Sequence, residues 1–297
     1  MKKTGFIAIV GRPNVGKSTL LNALLGEKIA IISKKPQTTR NRITGILTEG
    51  ENQFVFLDTP GMHRPRTKLG DYMVKAITGT IGDVDAAILV CEAGSKPGEI
   101  EKSLINRFEV LGLDALLVIN KTDRSNPHLI AETISSFSEL YDFKSVIPIS
   151  ALKCDGCDIV LKEAEDFLYE SEWFFPANAL TDQPERQIAA EIIREKLLRT
   201  LDDEIPHGTA VVIEEFKDEK TLLSVRAEIF CEKQSHKGII IGKRGETLKK
   251  IGSYAREDLE AFFGIKVYLD LWVKVKENWR DSLFNLANFG YNEKDDN

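Results

Sequence analysis

Gly11-Arg12-Pro13-Asn14-Val15-Gly16-Lys17-Ser18 sets two glycines, a lysine and a hydroxyl at the spacing of a phosphate-binding loop. Glycines let the main chain close around an anion, so that backbone amides point inward and the start of a following helix adds positive potential. Lys17 is suited to neutralise the outer phosphates and Ser18 to ligate magnesium, and Thr19 continues the nucleotide-binding run. The base must be chosen elsewhere. Asn120-Lys121-Thr122-Asp123 provides a carboxylate, Asp123, that accepts from the ring NH and the exocyclic amine of guanine. Adenine lacks that donor pair and would leave a buried carboxylate unpaired, so guanine is the expected base. Ser150-Ala151-Leu152 supplies backbone contacts to the same pocket. Asp58-Thr59-Pro60-Gly61 adds a carboxylate that reaches magnesium through water and a glycine amide that meets the γ-phosphate. Lys17 and Gly61 are therefore candidate catalytic groups. Met62 stands where Ras-like enzymes carry the glutamine that orients the attacking water, so hydrolysis is expected to be slow or completed by another group.

These groups need strand ends to hold them. Apolar runs of strand length recur at 6–10, 43–47, 53–57, 86–91, 115–119 and 145–149, with helical periodicity between them. The alternation predicts an α/β unit with a mostly parallel, doubly wound sheet. Its motif segments follow strands and so converge at the carboxyl edge, where open sheets bind ligands.

At 297 residues the chain is long enough for two cores, and 42% hydrophobic with 29% charged residues is an ordinary globular composition. A net charge of −6 excludes a protein that coats nucleic acid by bulk charge, so any RNA contact must be a local basic patch. Of the four cysteines only Cys154 and Cys157 are close, too few for a structural zinc, and reduced thiols favour the cytosol. No run approaches the roughly 18 apolar residues of a membrane span, and no signal peptide is evident.

Two prolines and several turn formers at 173–184 read as a linker between a nucleotide domain, 1–172, and a second domain, 185–297. There, Ile188, Ile192, Ile193 and Leu197 line one face of a predicted helix with charges opposite. A hairpin follows, 210–216 and 221–230, around a turn at 217–220. A glycine loop then leads to a helix ending near 263 and a strand in which Val267, Leu269, Leu271 and Val273 alternate with polar positions. Trp279, Leu283, Phe284, Leu286 and Phe289 are expected to pack a last helix, and Tyr268 and Trp272 to be partly buried. The tetrad Gly242-Lys243-Arg244-Gly245 lets a nucleic-acid backbone approach closely, with Ile240 and Ile241 offering apolar surface to unstacked bases. From Lys233 to Lys250, a stretch that includes Lys249, six lysines or arginines face one acid, a local charge of +5.

GRPNVGKS, DTPG, NKTD and SAL resemble the motif set of the translation-factor-related GTPases, and KPQTTR resembles the Era family within it. In the second domain AEIIREKLL, IPH, AVVIEEF, IIIGKRGETLKKIG and LWVKVKENWR resemble that family's RNA-binding part. The resemblance implies a P-loop GTPase domain followed by an α+β type II KH domain. It also implies a switch loop at 33–45 whose Thr39, or its neighbour Thr38, closes onto magnesium and γ-phosphate with a catalytic role. Asn14 is implied as a potassium ligand, with capping of local amides as the alternative. Partners implied are GTP and GDP, small-subunit ribosomal RNA and the 30S subunit during its assembly, and a peripheral contact with the inner membrane, for a monomer in the cytoplasm. Two other readings stay open: an RNA-binding protein using GTP mainly as a ligand, and a membrane-surface GTPase.

Overall fold

The structure, a computed structural model, describes residues 1–33, 35, 37–62, 65 and 67–291. Lys34 and Pro36 of the expected switch loop lie outside the described residues, as do the last six positions of the expected second domain. The chain forms two compact units, Met1–Arg64 with Met73–Asp182, and Pro65–Tyr72 with Gln183–Asn297.

In the first unit the elements run β1 (Lys3–Val10), α1 (Lys17–Leu25), β2 (Ile43–Glu49), β3 (Asn52–Asp58), α2 (Lys68–Gly82, which belongs to this unit from Met73 onward) and β4 (Ala86–Glu92). They continue α3 (Glu99–Leu111), β5 (Asp114–Asn120), α4 (Pro127–Ser138), β6 (Ser145–Pro148), α5 (Cys157–Ala164) and β7 (Tyr169–Glu170). The sheet order is β2-β3-β1-β4-β5-β6, with β7 pairing β1. Strands β1, β3, β4, β5 and β6 are parallel, and their near-continuous apolar runs suit a sheet covered on both faces. β2 and β3 are antiparallel because only Gly50 and Glu51 separate them, and Gly50 takes the positive φ such a tight turn needs. Val10, Leu89, Leu117, Ile119, Phe108 and Phe137 are among the buried side chains of one core layer.

The expected linker is not free chain. Gln53 donates to the Phe175 carbonyl at 2.9 Å and accepts from its amide at 3.0 Å. The indole of Trp173 donates to the Glu51 carbonyl at 3.0 Å, and the amide of Ile46 to the Leu180 carbonyl at 2.9 Å. Residues through Asp182 therefore belong with the first unit, fastened by backbone groups that composition does not reveal.

The second unit contains α6 (Glu185–Thr200), β8 (Ala210–Asp218), β9 (Leu222–Cys231), α7 (Gln234–Ile241), α8 (Glu246–Phe263), β10 (Lys266–Val275) and α9 (Leu283–Asn288). β9 is central, antiparallel to β8 and parallel to β10. The hairpin turn is tighter than expected: pairing reaches Asp218 and Leu223, and Lys220 takes a left-handed conformation. Ile193, Leu197, Ala227, Ile229, Ile251 and Val273 fill the core.

Three expectations are corrected here. Not all the charges opposite the apolar stripe of α6 are solvated: Arg186 and Arg199 are exposed, but Arg194, Glu195 and Lys196 are buried. They survive burial by pairing, Lys196 with Glu195 at 2.9 Å and with Asp258 of α8, and Arg194 with Glu191. Trp279, in a short turn before the last helix, is buried, and so is Leu286 within it, but Leu283 and Phe284 of that helix are exposed, Phe284 to 73%. Six residues make fewer than two turns, so one narrow face reaches the core and the others cannot. Tyr268 and Trp272 stand on the open face of β10, 61% and 59% exposed.

Candidate functional site

Three strand ends and the loop after β1 assemble the first site. Gly16, at φ 103°, leaves the loop and enters α1, and a Cβ there would lie 2.2 Å from the side-chain nitrogen of Asn120. Asn120 therefore replaces a side chain at that point and ties the pocket together. Its amide donates to the Val15 carbonyl at 2.9 Å, and its oxygen accepts from the amides of Lys121 at 2.8 Å and Ala151 at 3.0 Å. The phosphate loop, the Asn120–Asp123 turn and the Ser150–Leu152 turn are thus fixed by one residue. Ser150 donates to Asp123 Oδ1 at 2.8 Å, and that hydrogen bond holds the Asp123 carboxyl below the usual carboxylate range. Leu152 is exposed, so its contribution to the pocket is confined to backbone.

At the other pole, Ser18 donates to Asp58 Oδ2 at 2.5 Å and shares a hydrogen bond of 2.8 Å with Thr39. Thr38 instead donates to the Lys35 carbonyl at 2.6 Å, so of the two threonines it is Thr39 whose hydroxyl meets Ser18. Asp58 Oδ1 is buried with no hydrogen-bond partner. Two hydroxyls and a carboxylate, one of its oxygens unsatisfied, form a hard-oxygen set suited to a small divalent cation. Lys17 Nζ donates to the carbonyls of Gly11 at 3.2 Å and Arg12 at 3.0 Å. Thr59 is buried, its hydroxyl donating to the Ile9 carbonyl at 2.9 Å, and so it holds the end of β3 rather than a ligand. A Cβ on Gly61 would lie 2.6 Å from Pro13 Cα, so this segment packs directly on the loop. Met62 packs against the core beneath and offers no polar group to a water. Asn14 is exposed at a left-handed position in the loop. Glu92, which accepts from Lys121 Nζ at 2.8 Å, was not foreseen; its place at the end of β4 is the only signal the sequence offers.

Burial pushes Lys17 down to about 8 and Asp58 up to about 6, each partly offset by the charge of the other. Both shifts disfavour the charged forms that a magnesium nucleotide requires. Binding must therefore take up a proton on Lys17 above about 8 and release one from Asp58 below about 6. The affinity for a magnesium nucleotide is expected to peak near pH 7 and to fall roughly tenfold by about pH 5 and again by about pH 9. Calorimetric titrations across that range check this, and a flat profile would show that neither group changes protonation on binding.

In the second unit α7 ends at Ile241, Gly242 takes φ 75°, and Lys243–Gly245 form a short turn before α8. Lys243, Arg244, Lys249 and Lys250 are exposed together around it. Ile240 cannot meet a base: it is fully buried against Ile251 and Ala255, because it sits on the inward face of α7. Ile241 is partly buried in the same core, whereas Ile239 is 50% exposed. Tyr254 is also exposed, with Lys250 Nζ 5.8 Å from its ring centroid. Helical phase, which an apolar triplet leaves undefined in sequence, decides which isoleucine faces out.

No group of three or more His, Cys, Asp or Glu among the described residues could hold a metal, and Cys157 is buried with its thiol pushed up to about 11. No helix among the described residues is long and apolar enough to cross a membrane.

Residues 6–121 match the family described as 50S ribosome-binding GTPase, and residues 204–280 match the KH domain family. The chain is 51% identical over 290 residues to the GTPase Era of Ruminiclostridium cellulolyticum, covering 97% of each protein. A solved structure of Era in complex with MgGDPNP and nucleotides 1506–1542 of 16S ribosomal RNA is similar at a TM-score of 0.94 and 39% identity, covering 98% of this chain and 99% of that one. A tyrosine-to-alanine variant of Aquifex aeolicus Era bound to GDP·AlF4− gives 0.93 and 39%, covering 97% and 99%.

Proposed function

Since this chain belongs to the Era family of GTPases, we propose that it is a GTP-hydrolysing switch whose KH domain binds the RNA of the small ribosomal subunit during that subunit's assembly. The observation that carries this reading is the solved relative, 39% identical across nearly the whole chain, which holds MgGDPNP and a 16S ribosomal RNA segment together. In this reading Asp123, Asn120 and the Ser150–Leu152 turn select guanine, and the amides of residues 11–16 with Lys17 hold the phosphates. Ser18 and Thr39, with Asp58 through water, would hold magnesium, which would supply charge neutralisation at the outer phosphates. Gly61 presents its amide to the γ-phosphate. Met62 cannot orient water, so turnover is slow until the ribosomal partner is engaged.

Single-turnover hydrolysis with and without small subunits tests the switch, alongside RNA affinity in GTP and in GDP. Faster hydrolysis with subunits and a nucleotide-dependent affinity are expected. Equal rates and equal affinities would leave an RNA-binding protein with GTP as a passive ligand.

RNA contact falls to the exposed Lys243, Arg244, Lys249 and Lys250, with Gly242 and Gly245 clearing the way for the backbone. Both glycines take a positive φ that strains any side chain, but Gly245 is the less obstructed site to block: a Cβ there meets nothing within 4 Å, whereas one on Gly242 would strike Thr247 at 2.2 Å. Gly245→Asp is expected to weaken binding of a single-stranded ribosomal RNA fragment roughly tenfold or more and to leave GDP affinity unchanged. A parallel fall in both affinities would mean that the two activities are not separable.

Potassium at Asn14 is supported by its exposed, left-handed place in the loop. Hydrolysis should then be faster in potassium than in sodium, and Asn14→Ala should erase the difference; equal rates in both salts dispose of the idea. Work as a monomer in the cytoplasm, with a peripheral contact at the inner membrane, completes the proposal. Retention on anionic vesicles without RNA, lost in Lys243→Glu, is the observation the membrane contact requires.

A further inference from the structure

Arg12 lies inside the phosphate-binding loop, yet its side chain does not face the loop's interior. Its guanidinium reaches Glu101 of α3 through two contacts, Nε to one carboxylate oxygen and Nη2 to the other at 2.5 Å, and Nη2 also approaches the Lys96 carbonyl at 3.4 Å. Glu101 is 2% exposed, and its second oxygen accepts from the Gly98 amide at 3.0 Å as well. Gly98 leaves room for this arrangement, since a Cβ there would lie 2.3 Å from Arg12 Nη2. The far side of Arg12 is equally committed. Its carbonyl and that of Gly11 hold Lys17 Nζ, and the Gly11 carbonyl also accepts from the Met62 amide at 3.3 Å.

We infer that Glu101 is a positioning residue for nucleotide binding, acting through Arg12 to fix the loop segment that places Lys17 and receives the 61–62 turn. The inference rests on the nucleotide site proposed above. A forked guanidinium–carboxylate pair fixes orientation as well as distance, and a buried carboxylate has no water to turn to if the pair opens. Helix α3 thereby sets the curvature of residues 11–13 before any phosphate arrives, so a diphosphate meets a loop already shaped for it. A monophosphate, which brings no outer phosphate to Lys17, would depend less on that segment.

A helix cap is the simpler role for Glu101, and Arg12 separates the two, because replacing Arg12 leaves the Gly98–Glu101 cap in place. The experiment measures GDP and GMP affinities of the full chain, with magnesium, for wild type, Arg12→Met, Glu101→Gln, the double variant and Lys17→Met. Each single change at the pair is expected to lower GDP affinity roughly tenfold, the scale seen when an orienting outer contact is removed, with a smaller loss for GMP. The double variant should be no weaker than the weaker single, since one contact is lost once. Unchanged GDP affinity in Arg12→Met, equal losses for GDP and GMP, or additive losses in the double variant would overturn the inference, even if Glu101→Gln proved unable to fold. Wild-type GDP affinity untouched by Lys17→Met would instead overturn the nucleotide-site reading, and this inference with it.

Discussion

Asp123→Asn is expected to weaken GTP and GDP binding by a factor on the order of a hundred to a thousand while improving binding of xanthosine nucleotides, so that base preference inverts. The hydrogen bond from Ser150 is what gives the prediction its sign. Ser150 is buried and donates to Asp123 Oδ1, so an asparagine at 123 must keep its carbonyl oxygen on that side to go on accepting. Its amide nitrogen is then forced into the place of the other carboxylate oxygen, facing the base. Guanine brings two donors to that edge and meets a third. Xanthine brings a carbonyl in place of the amine and finds a donor to pair with. An unpaired polar group in a closed pocket costs more than a good hydrogen bond gains, so discrimination should exceed the change in absolute affinity for the new base. Competition between GDP and XDP measures the inversion, and an unchanged preference would remove Asp123 from the base pocket.

The parts of the site that sequence exposes most clearly are those whose residue type and spacing are both demanded by one ligand. Residues 11–18 fall into this class, and so does Asp123, whose acidic side chain after a strand has few other uses. Strand ends at Val10, Asp58 and Asn120 came through because buried parallel strands need uninterrupted apolar runs, which are hard to confuse over five or more residues. What stayed hidden depends on phase or on long-range pairing. Nothing in Gly238 to Ile241 tells which isoleucine faces the core, and it was Ile240, not a base-facing side chain, that went inside. Thr38 and Thr39 are adjacent and identical, and only the approach of Ser18 and Asp58 distinguishes them. The charges at 194–196 read as a solvated face because a helix wheel cannot show that Asp258, 62 residues further on, returns to neutralise Lys196. Arg12 belongs to the phosphate-loop pattern, and nothing in that pattern shows that its side chain meets Glu101, 89 residues away. In each case the residue type was compatible with two environments, and either helical phase or a partner elsewhere in the chain decided between them.

Lys17→Met is expected to remove most nucleotide affinity, by a factor on the order of a hundred or more, and yet to leave the nucleotide-free protein melting at or above the wild-type temperature. The reason lies in what holds Lys17 when no phosphate is present. Two carbonyls accept from its ammonium, but the net effect of its surroundings is a fall from 10.5 to about 8, with desolvation the largest cause. That fall corresponds to roughly 3 kcal/mol by which the empty site disfavours the charged lysine at neutral pH. Because the folded value lies below the unfolded one, the wild-type fold gains stability as pH rises from about 8 towards 10.5, and the methionine variant should lack that rise. Loss of the lysine also removes the positive charge that holds Asp58 down, so its carboxyl should titrate still higher and sit protonated between Ser18 and Thr39. A neutral methionine beside a neutral carboxyl suits a buried empty site better than two poorly solvated charges. GDP should raise the wild-type melting temperature and fail to raise that of the variant, which separates ligand binding from fold stability in one experiment. If the variant melted well below wild type without nucleotide, Lys17 would be holding the loop together rather than waiting for a phosphate.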